Sequence, residues 1–404
     1  VGYGAGVTTI ELNTGGDGLE FNLHGNWWLP GAGSKTGLRI SDISFSTTNN
    51  RTGVGLAIYG ESVQGRPAEG IYLERIRMRG KSDFNQFWFT ALKFRDACPA
   101  WIDSPEIHAG NGNDVSTCIE ISGTAQGTSP VHYNIISPIL YFGLNAIKIG
   151  DFVEGVYITQ HTIVGCQYGV YWHPSQGESG LSVIGGHIAA VKSAIDLDNV
   201  FDFVVEGCLI YRSGDFEPFY GVNISRAGRF SITGNVFRGT SSGSGETGVY
   251  VNSSIPDEKY GGVVSSNNFT SFNGRGLWLG ANANFVYGSG NRFGACSVRV
   301  LRQETSGNCS VDGAKIERSI VVALAGGGLG GQFDVSVPAG AFRIKPAFAS
   351  ADLYGSLSIS ASYDYDNSTE TNLRFVVRSN TGGNISSGNY RFGVCAAESS
   401  VSTT

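Results

Sequence analysis

Methionine is nearly absent from this 404-residue chain (1), and charged residues make up only 15% of it. So little charge beside 41% apolar residues excludes a disordered solvating tail. The formal charge is −6 and no basic stripe runs along the sequence, which argues against a nucleic-acid partner. No apolar run is long enough for a membrane-spanning helix. The cysteines number 7, are widely spaced and include no Cys-x-x-Cys, so neither a zinc site nor a disulfide framework is expected. They read as buried free thiols formed in a reducing compartment. The 6 histidines lack metal-ligand spacing and read as surface or hydrogen-bonded polar residues, so neither metal nor cofactor is expected. Gly326 to Gly331 matches a dinucleotide-binding loop in letters, but a strand follows it and no helix, so it reads as a turn. The chain opens Val-Gly-Tyr-Gly-Ala-Gly, without initiator Met or signal peptide, and reads as lacking an upstream part.

What is abundant is glycine (59), and with it a repeat. Val156 to Ile163, Leu181 to Ile188, Phe203 to Ile210 and Phe230 to Phe237 each place apolar residues first, third and eighth. A second short strand follows each, often opening with Gly: Gly169, Gly221, Gly248 and Gly276. Core pairs five residues apart recur from Ile40/Phe45 through Leu73/Met78, Ile102/Ile107 and Ile135/Leu140 to Val264/Phe269. The next step lands on Tyr287, six before Phe293, where the register is expected to slip. Repetition without identity, in units of about 22 to 33 residues lacking a helical period, predicts a β-solenoid, an all-β parallel β-helix of about ten rungs. Asn235, Asn267 and Asn291 fall in successive bends, where an amide can adopt a left-handed backbone and bond its neighbour one rung away. Residues 1–37 read as an N-terminal lead-in and cap, 38–310 as the β-helix, and 311–404 as an antiparallel sandwich or meander.

The second strand of each rung sends alternate residues outward. Stacked, they form a strip: Ala57, Lys93, Glu120, Lys148, Tyr171, Asp196, Asn223, Tyr250, Trp278 and Arg299, with His173 and Asp198 two residues further along. Exposed aromatics beside carboxylates and amides suit a sugar chain, whose ring faces stack and whose hydroxyls bond. Glu120, Lys148, Tyr171, His173, Asn223, Tyr250 and Trp278 are therefore the expected substrate-binding residues. Glycoside hydrolysis needs two carboxyl groups. Asp196 and Asp198, two apart on one strand, are expected as acid and base, with Glu206, Asp215 and Glu217 as further catalytic candidates. Elimination at a uronate is the rival chemistry, using Tyr171, His173 and Lys148.

The Asp17-Gly-Leu-Glu-Phe-Asn22 segment, the rung Gly37 to Phe45 and Thr52 to Ile58 resemble the start of bacteriophage tailspike β-helices, in the pectate-lyase-like superfamily. The resemblance covers residues 1–310, and the C-terminal part is similar to tailspike trimerisation domains. It implies a right-handed homotrimeric β-helix in the virion tail, assembled in the host cytoplasm. It also implies an N-terminal particle-binding domain and recognition or cleavage of a bacterial O-antigen, capsule or exopolysaccharide. Three functions follow: a hydrolase, a polysaccharide lyase, or a receptor-binding spike without catalysis. No acid cluster of the pectate-lyase calcium type is present, which speaks against pectate chemistry.

Overall fold

A computed structural model describes residues 8–13, 16–23, 37–60, 70–81, 86–110, 115–126, 129–214, 218–240, 245–302, 309–311, 314–324, 330–336, 348–353, 359–363, 372–379 and 388–397. From Arg39 to Arg302 the chain passes ten times through three parallel sheets, making a parallel β-helix. One rung shows the plan: Arg77–Gly80 follows Ile71–Glu74 across a two-residue bend, and Thr90–Arg95 follows a longer loop. Each strand pairs in register with its counterpart one rung on, so Leu73 faces Ile102 and Met78 faces Ile107. Val205 likewise faces Ile232. These residues are fully buried and form the core inside the prism. The stack starts within the expected cap, because Thr9–Glu11 already pairs with the second sheet and Leu19–Leu23 with the third.

The bend between the first and second sheets keeps its length because one residue in it is left-handed. That residue is Asp42, Arg75, Ser104, Ser137 and Gln160, then Gly185, Gly207 and Gly234, then Ser266. The following residue turns inward. In the last rungs it is asparagine, and the side chains form a ladder. Asn235 donates to Asn267 Oδ1 from both its backbone N (3.0 Å) and its Nδ2 (3.0 Å). Asn267 does the same to Asn291 Oδ1, at 3.1 and 3.2 Å. The left-handed residue is thus the one before each asparagine, contrary to expectation, since the Asn must turn its amide into the stack. The expected slip after Val264 is also absent. Tyr287 pairs with Val263, and Phe269 faces Phe293, so Gly288 occupies the core position and the spacing of five holds.

The glycines that open third-sheet strands make room for rings. Phe237, Phe269 and Phe293 stack at 4.9 and 5.0 Å. A Cβ on Gly248 would lie 2.6 Å from Phe269 and 2.5 Å from the Gly276 carbonyl. The cysteines depart partly from expectation: Cys118, Cys166, Cys208 and Cys309 are buried thiols, whereas Cys98 and Cys296 are only half-buried. His161 departs further. It is buried in the bend, and neither ring nitrogen has a hydrogen-bond partner among the described residues.

Parallel pairing ends where Val300–Arg302 meets Ala314–Ile316. From there Ala314–Leu324 pairs antiparallel with Gly388–Ala397, which also pairs with Phe348–Leu353. Ile359–Tyr363 then joins Phe348–Leu353 to Asn372–Ser379, and Gly330–Ser336 completes the far edge. The result is one antiparallel ladder of reordered strands, not a simple meander.

Candidate functional site

The third sheet builds the strip because its strands stay in register over many rungs. Ala57 pairs with Lys93, Lys93 with Glu120, Glu120 with Lys148 and Lys148 with Tyr171. Tyr171 pairs with Asp196, Asp196 with Asn223, Asn223 with Tyr250 and Tyr250 with Trp278. The strip ends differently from expectation: Leu301, not Arg299, lies opposite Trp278.

Asp196 is the centre. Its side chain is only 8% exposed. His173 Nε2 lies 2.7 Å from Asp196 Oδ1, and Asn223 Nδ2 donates to the same oxygen at 3.2 Å. Tyr171 stacks on His173 at 4.2 Å, and Tyr168 meets Tyr171 edge-on at 5.3 Å. Burial, and then the nearby Asp196 charge, pushes the Tyr168 and Tyr171 hydroxyls up. Burial raises Tyr220 as well, with Asp196 adding to it and Arg275 opposing. Asp196 therefore sits in a cup of tyrosines, an imidazole and an amide. Two strand positions along, Asp198 has a different partner: Arg226 grips it with both guanidinium arms, Nε at 2.7 Å. Those hydrogen bonds hold the Asp198 carboxyl below its usual range, aided by the Arg226 charge and a smaller contribution from His173. One carboxylate is nearly buried beside an imidazole, and its neighbour stays ionised.

On one side of this cup, Glu120 lies between Lys93 (3.3 Å) and Lys148 (3.9 Å), so its charge is matched along the strip. On the other side runs an aromatic array. Tyr220 stacks on Tyr250 at 5.4 Å, Tyr250 on Trp278 at 4.2 Å, and Arg275 lies over Trp278 at 4.3 Å. The structure thus gathers Asp196, Asp198, His173, Tyr171 and Asn223, with Lys148, Glu120, Tyr250 and Trp278 above and below. Glu206 is not with them: it is exposed on the first sheet, between Ile184 and Thr233. Asp215 and Glu217 lie outside the described residues. Among the described residues, no group of histidine, cysteine or carboxylate side chains could hold a metal ion.

Tyr168, Tyr220, Arg226 and Arg275 were missed by the sequence reading. The two tyrosines precede strip residues by three, which simple alternation assigns to the opposite face. The glycine after each, Gly169 or Gly221, marks the corner of the rung, where alternation breaks. Arg226 carried no such signal.

No protein-family model and no curated protein matches the chain. Among solved structures it is similar to the tailspike protein gp49 of Pseudomonas phage LKA1, at 12% identity over 89% of this chain and 67% of that one, with a TM-score of 0.33. It is similar to the tailspike gp61 of Pseudomonas phage phi297, at 12% identity over 90% and 67%, with a TM-score of 0.32. A variant tailspike of E. coli bacteriophage HK620, solved with a pentasaccharide, matches at 9% identity over 98% and 87%, with a TM-score of 0.32.

Proposed function

We propose that this chain is a phage tailspike that binds a bacterial surface polysaccharide along the third-sheet strip and cleaves it at Asp196. The observation that carries the reading is the cup itself: a nearly buried carboxylate, bonded to an imidazole, set in line with a stacked aromatic array. The array offers ring faces for sugars, and Asn223 and His173 offer polar groups for hydroxyls. Hydrolysis is the first reading. Side chains two apart on one strand stand about 6.5–7 Å apart, within the range of about 6.5–9.5 Å that leaves room for a water and gives inversion. Asp198, held ionised, takes the proton of the attacking water. The Asp196–His173 pair supplies the proton to the leaving oxygen.

Elimination is the second reading, favoured by the Tyr171–His173 stack at 4.2 Å beside Lys148. There His173 removes the proton, Lys148 neutralises the uronate carboxylate, and Tyr171, its hydroxyl pushed up, protonates the leaving oxygen. A spike that only binds is the remaining possibility.

Assembly as a homotrimer in the virion tail, through a C-terminal trimerisation domain at 311–404 and an upstream particle-binding part, belongs to the same proposal. Exposed Ile139, Leu209 and Val236 share one outward column of the second sheet, away from the strip, as a surface that other copies would cover.

The test compares wild type with folded Asp196→Asn and Asp198→Asn on purified O-antigens, capsules and exopolysaccharides. Cleavage by wild type that is lost in Asp196→Asn supports the site. New reducing ends without ultraviolet absorbance indicate hydrolysis, and an absorbing unsaturated uronate indicates elimination. Full activity in Asp196→Asn refutes the assignment. Binding of a polymer without cleavage leaves the receptor-binding spike.

A further inference from the structure

A polar cavity opens where the second-sheet strands ending at Arg212 and Arg238 turn toward the third sheet. It has a volume of about 290 Å³ and is lined by Tyr211, Arg212, Arg238, Gly239, Thr240 and Ser271. Among the described residues its charge is unbalanced. The carboxylate at its base, Glu246, is fully buried and already engaged. Arg212 Nη1 lies 3.1 Å from it, and Thr240 donates from both its backbone N (3.1 Å) and Oγ1 (2.6 Å). Its charge is cancelled by Arg212 and does not oppose an incoming anion. Arg238 is exposed, and among the described residues no carboxylate pairs with it.

The walls are polar side chains held in place. Tyr211 lies across one rung from Arg238. Its ring stacks on His187 at 5.2 Å, and its hydroxyl lies 2.8 Å from His187 Nε2, so it cannot swing away. Ser271 adds a hydroxyl. Gly239 keeps the floor open, because a Cβ there would come 2.6 Å from both Glu246 Oε2 and the Ser271 carbonyl. A guanidinium fork flanked by hydroxyls matches the oxygens of a carboxylate or phosphate. A neutral sugar would leave that positive charge unused.

We propose that the Arg238 cavity is a subsite for an anionic substituent, carboxylate or phosphate, of the sugar chain bound by this protein. The proposal rests on the polysaccharide reading above and names the class of polymer: one carrying acidic groups.

The experiment is saturation-transfer NMR on the full chain with three probes: D-glucuronate, α-D-glucose 1-phosphate and methyl α-D-glucoside. Wild type should bind at least one anion more tightly than the neutral glucoside. Arg238→Ala should weaken that anion about tenfold, the size of one charge-assisted hydrogen bond, and leave the glucoside unchanged. Arg238→Lys should recover part of the loss, since charge returns without the fork. Asp196→Asn should leave anion binding intact while abolishing cleavage, which separates this subsite from the catalytic assignment. The anion that responds to Arg238→Ala identifies carboxylate or phosphate as the source. The proposal is overturned if wild type binds neither anion, if the glucoside binds as tightly as both, if Arg238→Ala binds the anions like wild type, or if anion binding is lost in Asp196→Asn instead.

Discussion

Truncating Asn267 to alanine should destabilise the β-helix more than truncating either neighbour in the ladder, and the structure supplies the magnitude. Asn267 Oδ1 accepts from Asn235 N and Nδ2, both at 3.0 Å, while its own Nδ2 donates to Ile232 O at 2.9 Å and Asn291 Oδ1 at 3.2 Å. In Asn267→Ala, two donors of Asn235 and the Ile232 carbonyl lose a partner in a place that is almost fully buried. Each buried group left unsatisfied costs about 1–3 kcal/mol, and water entering the vacated space recovers some of it, so the expected loss is about 3–5 kcal/mol. Asn235→Ala removes fewer bonds and should cost somewhat less. Asn291→Ala acts at the half-buried end of the ladder and should cost least. The assay is urea unfolding followed by tryptophan fluorescence at one protein concentration, with unfolding rates compared if refolding lags. A loss below about 1 kcal/mol for Asn267→Ala, or a greater loss for Asn291→Ala, would refute the reasoning that the amides bear the stack.

Four other outcomes follow from particular contacts. Burial, with a smaller push from His187, lowers His161 to about 4 from 6.5, so stability should be level above pH 6.5 and fall as pH drops toward 4. The loss is about 3 kcal/mol, and His161→Leu should flatten that part of a stability–pH profile; an unchanged profile would contradict it. Cys208 occupies the ladder position next above Asn235, with its thiol 3.5 Å from Val183 O where Asn235 Nδ2 bonds Val205 O at 2.9 Å. Cys208→Asn should therefore keep or raise the melting temperature. Gly248→Ala forces a Cβ against Phe269 and the Gly276 carbonyl, and should lower stability by about 1–3 kcal/mol in the same urea assay. Glu246→Gln removes the buried carboxylate that lies 3.1 Å from Arg212 Nη1, and should cost about 3–5 kcal/mol.

The repeat was readable because it is local. A core pair spaced by five across a bend of constant length is written within ten consecutive residues, and each rung repeats it whatever its loops do. The strip was readable for the same reason, since alternation along a strand and stacking between rungs follow from the repeat. Where a core position holds glycine, as at Gly288, composition misleads, because the apolar Tyr287 beside it fits the pattern in its place. The sequence by itself therefore determined the parallel β-helix, its register over most rungs, and the row running from Lys93 through Asp196 to Trp278. Only the tertiary structure decided what each member of that row does. Asp196 and Asp198 look alike in sequence, yet Arg226, reached after another turn of the helix, takes one and His173 the other. Glu206, close to both in sequence, ends on a different sheet because the rung turns a corner after Asp198. Which charges meet depends on side chains brought together from rungs some 25 residues apart, and the pattern that builds the rungs does not encode that choice.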